Sequence, residues 1–189
     1  MFCEVNMKFA YKFSILVILS VLLVSNVFAS GSSETGTSED SFAGIVFTCR
    51  DINGNTIDSE NLFKSAKITM VNVWATYCSP CIREMPALGE LYRDMRSEGV
   101  EIIGVISDAP ENLDEDNLNI LRDFQSIVGV EFPFVLPSQS LVNSLLSDVS
   151  VVPTTFFIDN KGKIVKTVIG SKDHSSWKSI VEDVLKSTN

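Results

Sequence analysis

The sequence predicts an α/β fold, a sandwich with a mixed central sheet flanked by helices, and three observations carry that expectation. Residues 67–76 (KITMVNVWAT) and 100–108 (VEIIGVISD) are nearly continuous apolar, β-rich runs, the pattern of strands covered on both faces. Between them Ile82, Met85, Leu88, Leu91, Tyr92 and Met95 recur at spacings of three and four, which is helical. Residues 154–170 then read as a hairpin around Asn160-Lys161-Gly162. Strand, helix and strand in succession imply a parallel pair, and the late hairpin adds antiparallel partners, so the sheet should be mixed.

Taken in order, the chain of 189 residues divides into three parts. Residues 1–29 read as a signal peptide: Lys8 and Lys12, an apolar run from Phe13 to Val24, then Val27 and Ala29 ahead of Ser30. Met7 makes the better start for such a segment than Met1. The competing reading is an uncleaved signal anchor, against which stands a run of about 12 apolar residues where a span needs about 20. Residues 30–41 (SGSSETGTSEDS) contain no apolar side chain and read as a flexible linker. The folded domain is expected over 42–189. It opens with a β-hairpin turning at Asn53-Gly54-Asn55, and the helix after the first central strand spans Cys78 to Ser97 and stops at Gly99. A second helix is expected over 118–129, a short extended piece over 131–137, a short helix over 140–148, and a closing amphipathic helix over 175–187. No internal repeat is present.

Charge narrows the function. The formal net charge is −9, from 24 Asp and Glu against 15 Lys and Arg. Loss of 1–29 would remove two lysines and one glutamate and leave the chain more acidic still. Such a protein repels nucleic acid and anionic membrane surfaces, so neither is expected as a partner. The membrane enters only through the uncleaved-anchor reading.

The chemistry sits in WATYCSPC, residues 74–81. Cys78 and Cys81 lie where a buried strand ends and a helix begins. Unpaired backbone N–H groups at a helix N-terminus favour a thiolate there, and one helical turn puts both sulfurs on one face. Pro80 suits the first turn, where its missing N–H costs nothing. In an exported protein such a pair can form a disulfide. A zinc site would need two further ligands, and the only histidine, His174, lies far from any cysteine in sequence and reads as a surface residue at a helix start. No metal and no cofactor are expected. Cys49, on the first hairpin, reads as a buried, inert thiol, with a further resolving cysteine as the alternative.

The segment WATYCSPCIREMP is similar to the active-site segment of the exported TlpA/ResA-like thiol–disulfide oxidoreductases of the thioredoxin superfamily, with Asn72, Val73, Trp74, Ala75, Thr76, Cys78, Pro80, Cys81, Glu84 and Pro86 in matching places. VVPTTFFIDNKGKIV (151–165) resembles the family's second signature, a cis-proline ahead of a hairpin. The resemblance covers 42–189, and 109–137 resembles the helix–strand segment this family inserts into the basic fold. It implies that Cys78 attacks and Cys81 resolves, that the two form the redox-active disulfide, and that the Val152–Pro153 peptide is cis and binds the partner chain. It implies that Glu84 tunes the thiols and moves protons, and that Trp74 and Tyr77 lie on the substrate-binding side. Tyr77 departs from the family's usual tryptophan, and Asn72 replaces the buried aspartate of cytosolic thioredoxins. The activity implied is reduction of a specific extracytoplasmic protein disulfide, with apocytochrome c, other oxidised exported proteins and methionine-sulfoxide-repair enzymes among the family's substrates. The electron donor would be a membrane thiol transporter, and the location periplasmic or cell-surface. Two other readings stay open: a non-catalytic metal-binding chaperone using the same thiols, and a thiol peroxidase, which usually has threonine where Ala75 stands.

Overall fold

The computed structural model describes residues 44–188. The expected signal peptide, linker and first residues of the domain lie outside that range. Seven strands form one sheet in the order β2-β1-β5-β4-β3-β6-β7. They are β1 (Thr48–Asp51), β2 (Thr56–Asp58), β3 (Ile68–Trp74), β4 (Val100–Ile106), β5 (Phe134–Leu136), β6 (Thr154–Asp159) and β7 (Ile164–Ile169). β3, β4 and β5 run parallel, while β1, β2, β6 and β7 join antiparallel. This is the mixed sheet that the sequence predicts.

Among the described residues five helices cover it: α1 (Ser59–Lys64), α2 (Ser79–Met95), α3 (Glu115–Ile127), α4 (Gln139–Leu141, continued by a π-turn over Val142–Leu146) and α5 (His174–Thr188). The period-two alternation of β3 decides which side each helix takes. Ile68, Met70 and Trp74 pack with Met85, Leu88 and Leu91 of α2, Leu121 of α3, and Trp177 and Val181 of α5. Val71 and Val73 pack the other way, with Phe63 of α1 and Leu141 and Leu145 of α4. All seven residues of β3 are buried, which explains the nearly continuous apolar run.

Two elements differ from the expectation. The return strand of the first hairpin continues into α1, which the sequence reading lacks. Asp58 caps that helix by accepting from the Asn61 backbone N–H. α3 starts at Glu115 rather than 118 because Asp114 accepts from the Asn117 backbone N–H, a cap whose acids read as loop. The two hairpin turns share one device. Asp51 Oδ1 accepts from the N–H groups of Asn53 and Asn55, and Asp159 Oδ1 from those of Lys161 and Lys163.

Gly104 of β4 lies beneath an aromatic cluster of Trp74, Phe124, Phe132 and Phe134. A Cβ there would stand 2.9 Å from the Phe134 ring and 3.2 Å from that of Phe132. Gly104→Ala should therefore lose about 1–3 kcal/mol by overpacking. Denaturant titration with an unchanged slope and a lower midpoint is the expected result.

Candidate functional site

The site is assembled where β3 stops. The chain leaves the sheet at Trp74, and Cys78 becomes the cap of α2, with extended φ and ψ of −83° and 93°. Thr76 fixes the connection: its backbone N–H donates to both carboxylate oxygens of Asp108 and its hydroxyl to Oδ2. Cys78 and Cys81 are joined by a disulfide with Sγ–Sγ 2.08 Å and Cα–Cα 5.3 Å. The Cys81 backbone N–H donates to Cys78 Sγ at 3.3 Å. That sulfur is therefore the one at the helix terminus, where a thiolate is favoured. Cys78 is 6% exposed and Cys81 1%.

Opposite stands the loop before β6. The Val152–Pro153 peptide is cis, and the Val152 carbonyl oxygen lies 3.8 Å from Cys78 Sγ. Tyr77 is 75% exposed beside it. A cleft of about 590 Å³ runs from here, lined by Tyr77, Val152, Val151, Ser107, Glu111 and Leu146 among others. Of this cleft the sequence names Tyr77 and Val152 through the family resemblance, but not Asp108 or the 107–111 and 146–151 walls, which no spacing signal joins to the cysteines.

Trp74 requires a correction. It is 1% exposed, stacked on Phe124 at 5.6 Å and against Phe134 at 5.0 Å, so it offers no surface to a partner. It supports the redox turn from within the core, and its indole N–H has no hydrogen-bond partner among the described residues.

Glu84 lies one turn beyond Cys81 on α2 and is 3% exposed, not a surface glutamate. Its Oε1 accepts from the Trp177 indole N–H at 2.7 Å and from the Lys172 backbone N–H at 3.2 Å. Its Oε2 has no partner among the described residues. Burial pushes the carboxyl up from an ordinary 4.5 to about 7, against the opposing pull of those two donors and the Lys172 charge. Near neutral pH the group is therefore partly protonated rather than held as a constant negative charge. Trp177 and Lys172 went unnoticed in sequence because they lie 93 and 88 residues away.

The remaining residues do not join this cluster. Cys49 is buried in the opposite layer with Phe63 and Val71, and burial, aided by the Asp51 charge, pushes its thiol up to about 12. His174 opens α5 and lies 3.1 Å from Asp94 Oδ2. Asn72 donates to Thr155 Oγ1 inside the core. Among the described residues no group of three or more His, Cys, Asp or Glu side chains is placed to hold a metal ion. Nor is any helix there long and apolar enough to cross a membrane.

A profile of the AhpC/TSA family matches residues 44–167. The thiol–disulfide oxidoreductase ResA of Bacillus subtilis is 36% identical over 68% of this chain and 66% of its own length. ResA of Halalkalibacterium halodurans is 30% identical over 93% of this chain and 94% of its own. Among solved structures, StoA from Bacillus subtilis superposes with a TM-score of 0.56 at 27% identity, covering 72% of this chain and 96% of its own.

Two outcomes follow from the geometry. In the reduced protein, a thiol-alkylating probe near neutral pH should modify Cys78 first and Cys49 last, read by mass spectrometry of timed digests. Preferential modification of Cys81 would contradict the assignment of the helix-terminal thiol. For the oxidised protein, the folded chain retains a proton on Glu84 that the unfolded chain releases. Stability should therefore fall as pH rises from about 4.5 to about 7, by up to about 3 kcal/mol from this group. Glu84→Gln should remove that component in urea titrations at pH 5 and pH 8, and an unchanged pH dependence would argue against the burial account.

Proposed function

The chain belongs to the AhpC/TSA family and is a ResA-like thiol–disulfide oxidoreductase, and from that premise we propose that it is an exported reductase of a specific extracytoplasmic protein disulfide. The observation that carries this reading is the placement of Cys78 Sγ at the start of α2, 3.8 Å from the Val152 carbonyl and beside an open cleft. A partner strand laid along Val152–Pro153 can pair with this backbone and bring its own disulfide to Cys78.

The reaction is two exchanges. The Cys78 thiolate attacks one sulfur of the partner's disulfide; a Cys78–partner bond forms, the partner's S–S bond breaks, and its second sulfur leaves as a thiolate that takes up a proton. Cys81 then gives its proton to the Glu84 carboxylate and attacks Cys78 Sγ. The Cys78–Cys81 bond forms, and the partner's first sulfur leaves and is protonated in turn. Two electrons have passed from this protein's dithiol to the partner. A carboxyl near pH 7 suits both halves of that proton transfer, since it accepts a proton and releases it at similar cost. Asn72, where cytosolic thioredoxins have an aspartate, leaves Glu84 as the acid of the site.

Tyr77 and Val152 supply the surface that receives the partner, and Ala109, Pro110 and Pro137, from the inserted segment, line the same cleft. The apolar run at 13–24 with Lys8 and Lys12 before it supports export across a membrane, and a disulfide-exchange partner suits an oxidising compartment. Apocytochrome c or a methionine-sulfoxide-repair enzyme as substrate, and a membrane thiol transporter as donor, are the assignments this reading favours.

The test is a trap. Cys81→Ala in the full chain should accumulate a mixed disulfide between Cys78 and its partner, released by dithiothreitol and identified by mass spectrometry. Cys78→Ala should trap nothing and should abolish disulfide reduction, since the attacking nucleophile is gone. A Cys78→Ala variant that keeps its activity would overturn the reading. A protein purified under reducing conditions with one metal ion per chain and no exchange activity would favour the chaperone instead.

A further inference from the structure

We infer that Trp177 is a positioning residue for the second exchange: its indole N–H fixes Glu84 so that Oε2 is the oxygen that takes the proton from Cys81. The inference rests on the reading of Glu84 as the proton acceptor. Both side chains are buried, and the indole N–H meets Oε1 at 2.7 Å. The Lys172 backbone N–H donates to the same oxygen. With two donors on Oε1, a proton added to the carboxyl goes to Oε2, which is buried and has no other partner among the described residues.

Trp177 is itself held. It belongs to the first turn of α5, its backbone N–H donates to the Asp173 carbonyl, and its ring lies 6.2 Å from that of Phe157 in the core. The connection 170–173 is closed on itself, with Lys172 Nζ donating to the carbonyls of Gly170 and Ile169. Neither donor can follow the carboxylate if it turns, so the orientation of Glu84 is set by α5 and not by its own helix. A cavity of about 390 Å³ lined by Pro80, Glu84, Ser171 and Lys172 gives the site a path to solvent. The titratable and charged groups that face Glu84 or share this cavity are Arg83 and Glu90 of α2, Lys172 and Asp173 of the connection, and His174 of α5, with Cys81 one turn away on α2 and Cys78 at its cap. Of these, only Lys172 contacts the carboxyl by hydrogen bond.

A hydrogen bond from a neutral donor favours the ionised carboxylate, so its loss should raise the proton affinity of Glu84. The full chain, reduced, is mixed with a small aromatic disulfide whose thiolate is coloured. Attack by Cys78 releases one equivalent, and closure by Cys81 releases the second. Trp177→Phe should leave the first phase unchanged and move the pH midpoint of the second upward by about one unit, a tenfold change in proton affinity. In a Glu84→Gln background the same substitution should move nothing. A second phase in Trp177→Phe with the midpoint of the unmutated chain, while Glu84→Gln abolishes it, would show that Trp177 only packs. A second phase that Glu84→Gln leaves unaltered would remove both this inference and the reading beneath it. Should Trp177→Phe fail to fold, the unmutated chain answers instead: the Trp177 indole ¹⁵N–¹H resonance should titrate with the Glu84 carboxyl carbon, and an indole signal that ignores that titration would overturn the inference.

Discussion

The structure depends on one constraint: two thiols that must exchange with a partner are set at the point where a fully buried strand gives way to a helix. β3 is covered on both faces, so its end is rigid. α2 begins at once, and the Cys81 backbone N–H in its first turn donates to Cys78 Sγ. The Asp108 bonds to Thr76 and the aromatic packing around Trp74 hold that junction from two sides. Cys78 is thereby favoured as a thiolate without being opened to solvent, and Tyr77 and Val152 line the cleft beside it.

Burial brings a second consequence at Glu84. A carboxylate removed from water must be hydrogen-bonded or protonated, and here it is partly each. Trp177 and the Lys172 backbone satisfy one oxygen, while burial still holds the group near pH 7. Folding stability falls for this as pH rises from about 4.5 to about 7, and strongly perturbed groups of this kind cluster at functional sites. The buried thiol of Cys49, pushed up to about 12 in the opposite layer, is the contrasting case.

Much of this was legible in the sequence because the signals were local. The nearly continuous apolar run of β3, the three-and-four spacing of α2 and the Cys-x-x-Cys at their junction each state their place in a few residues. The Val-Pro before a hairpin became informative through its resemblance to a known family. What was not legible is what depends on contacts between distant segments. Glu84 stands off the apolar three-and-four spacing of α2, and its burial comes from distant residues of α5 and the 170–173 connection. Trp74 reads as a binding aromatic and is buried because Phe124 and Phe134, from an inserted helix and strand, cover it. α1 was missed since six residues give too short a period to read, although Asp58 and the Glu60–Lys64 pair mark it.

The claim that the dithiol is a donor of electrons is tested most directly by its redox midpoint. Ser79 and Pro80, between the cysteines, carry no charge and so add nothing to what the helix terminus gives Cys78. Glu84, on ionising, opposes a thiolate. Both leave the disulfide comparatively stable. Equilibration of the purified protein with glutathione or dithiothreitol buffers at pH 7 should give a midpoint nearer thioredoxin's, about −270 mV, than a strong oxidant's, about −120 mV. A value more positive than about −160 mV would contradict the account, because the protein would then hand disulfides on rather than remove them.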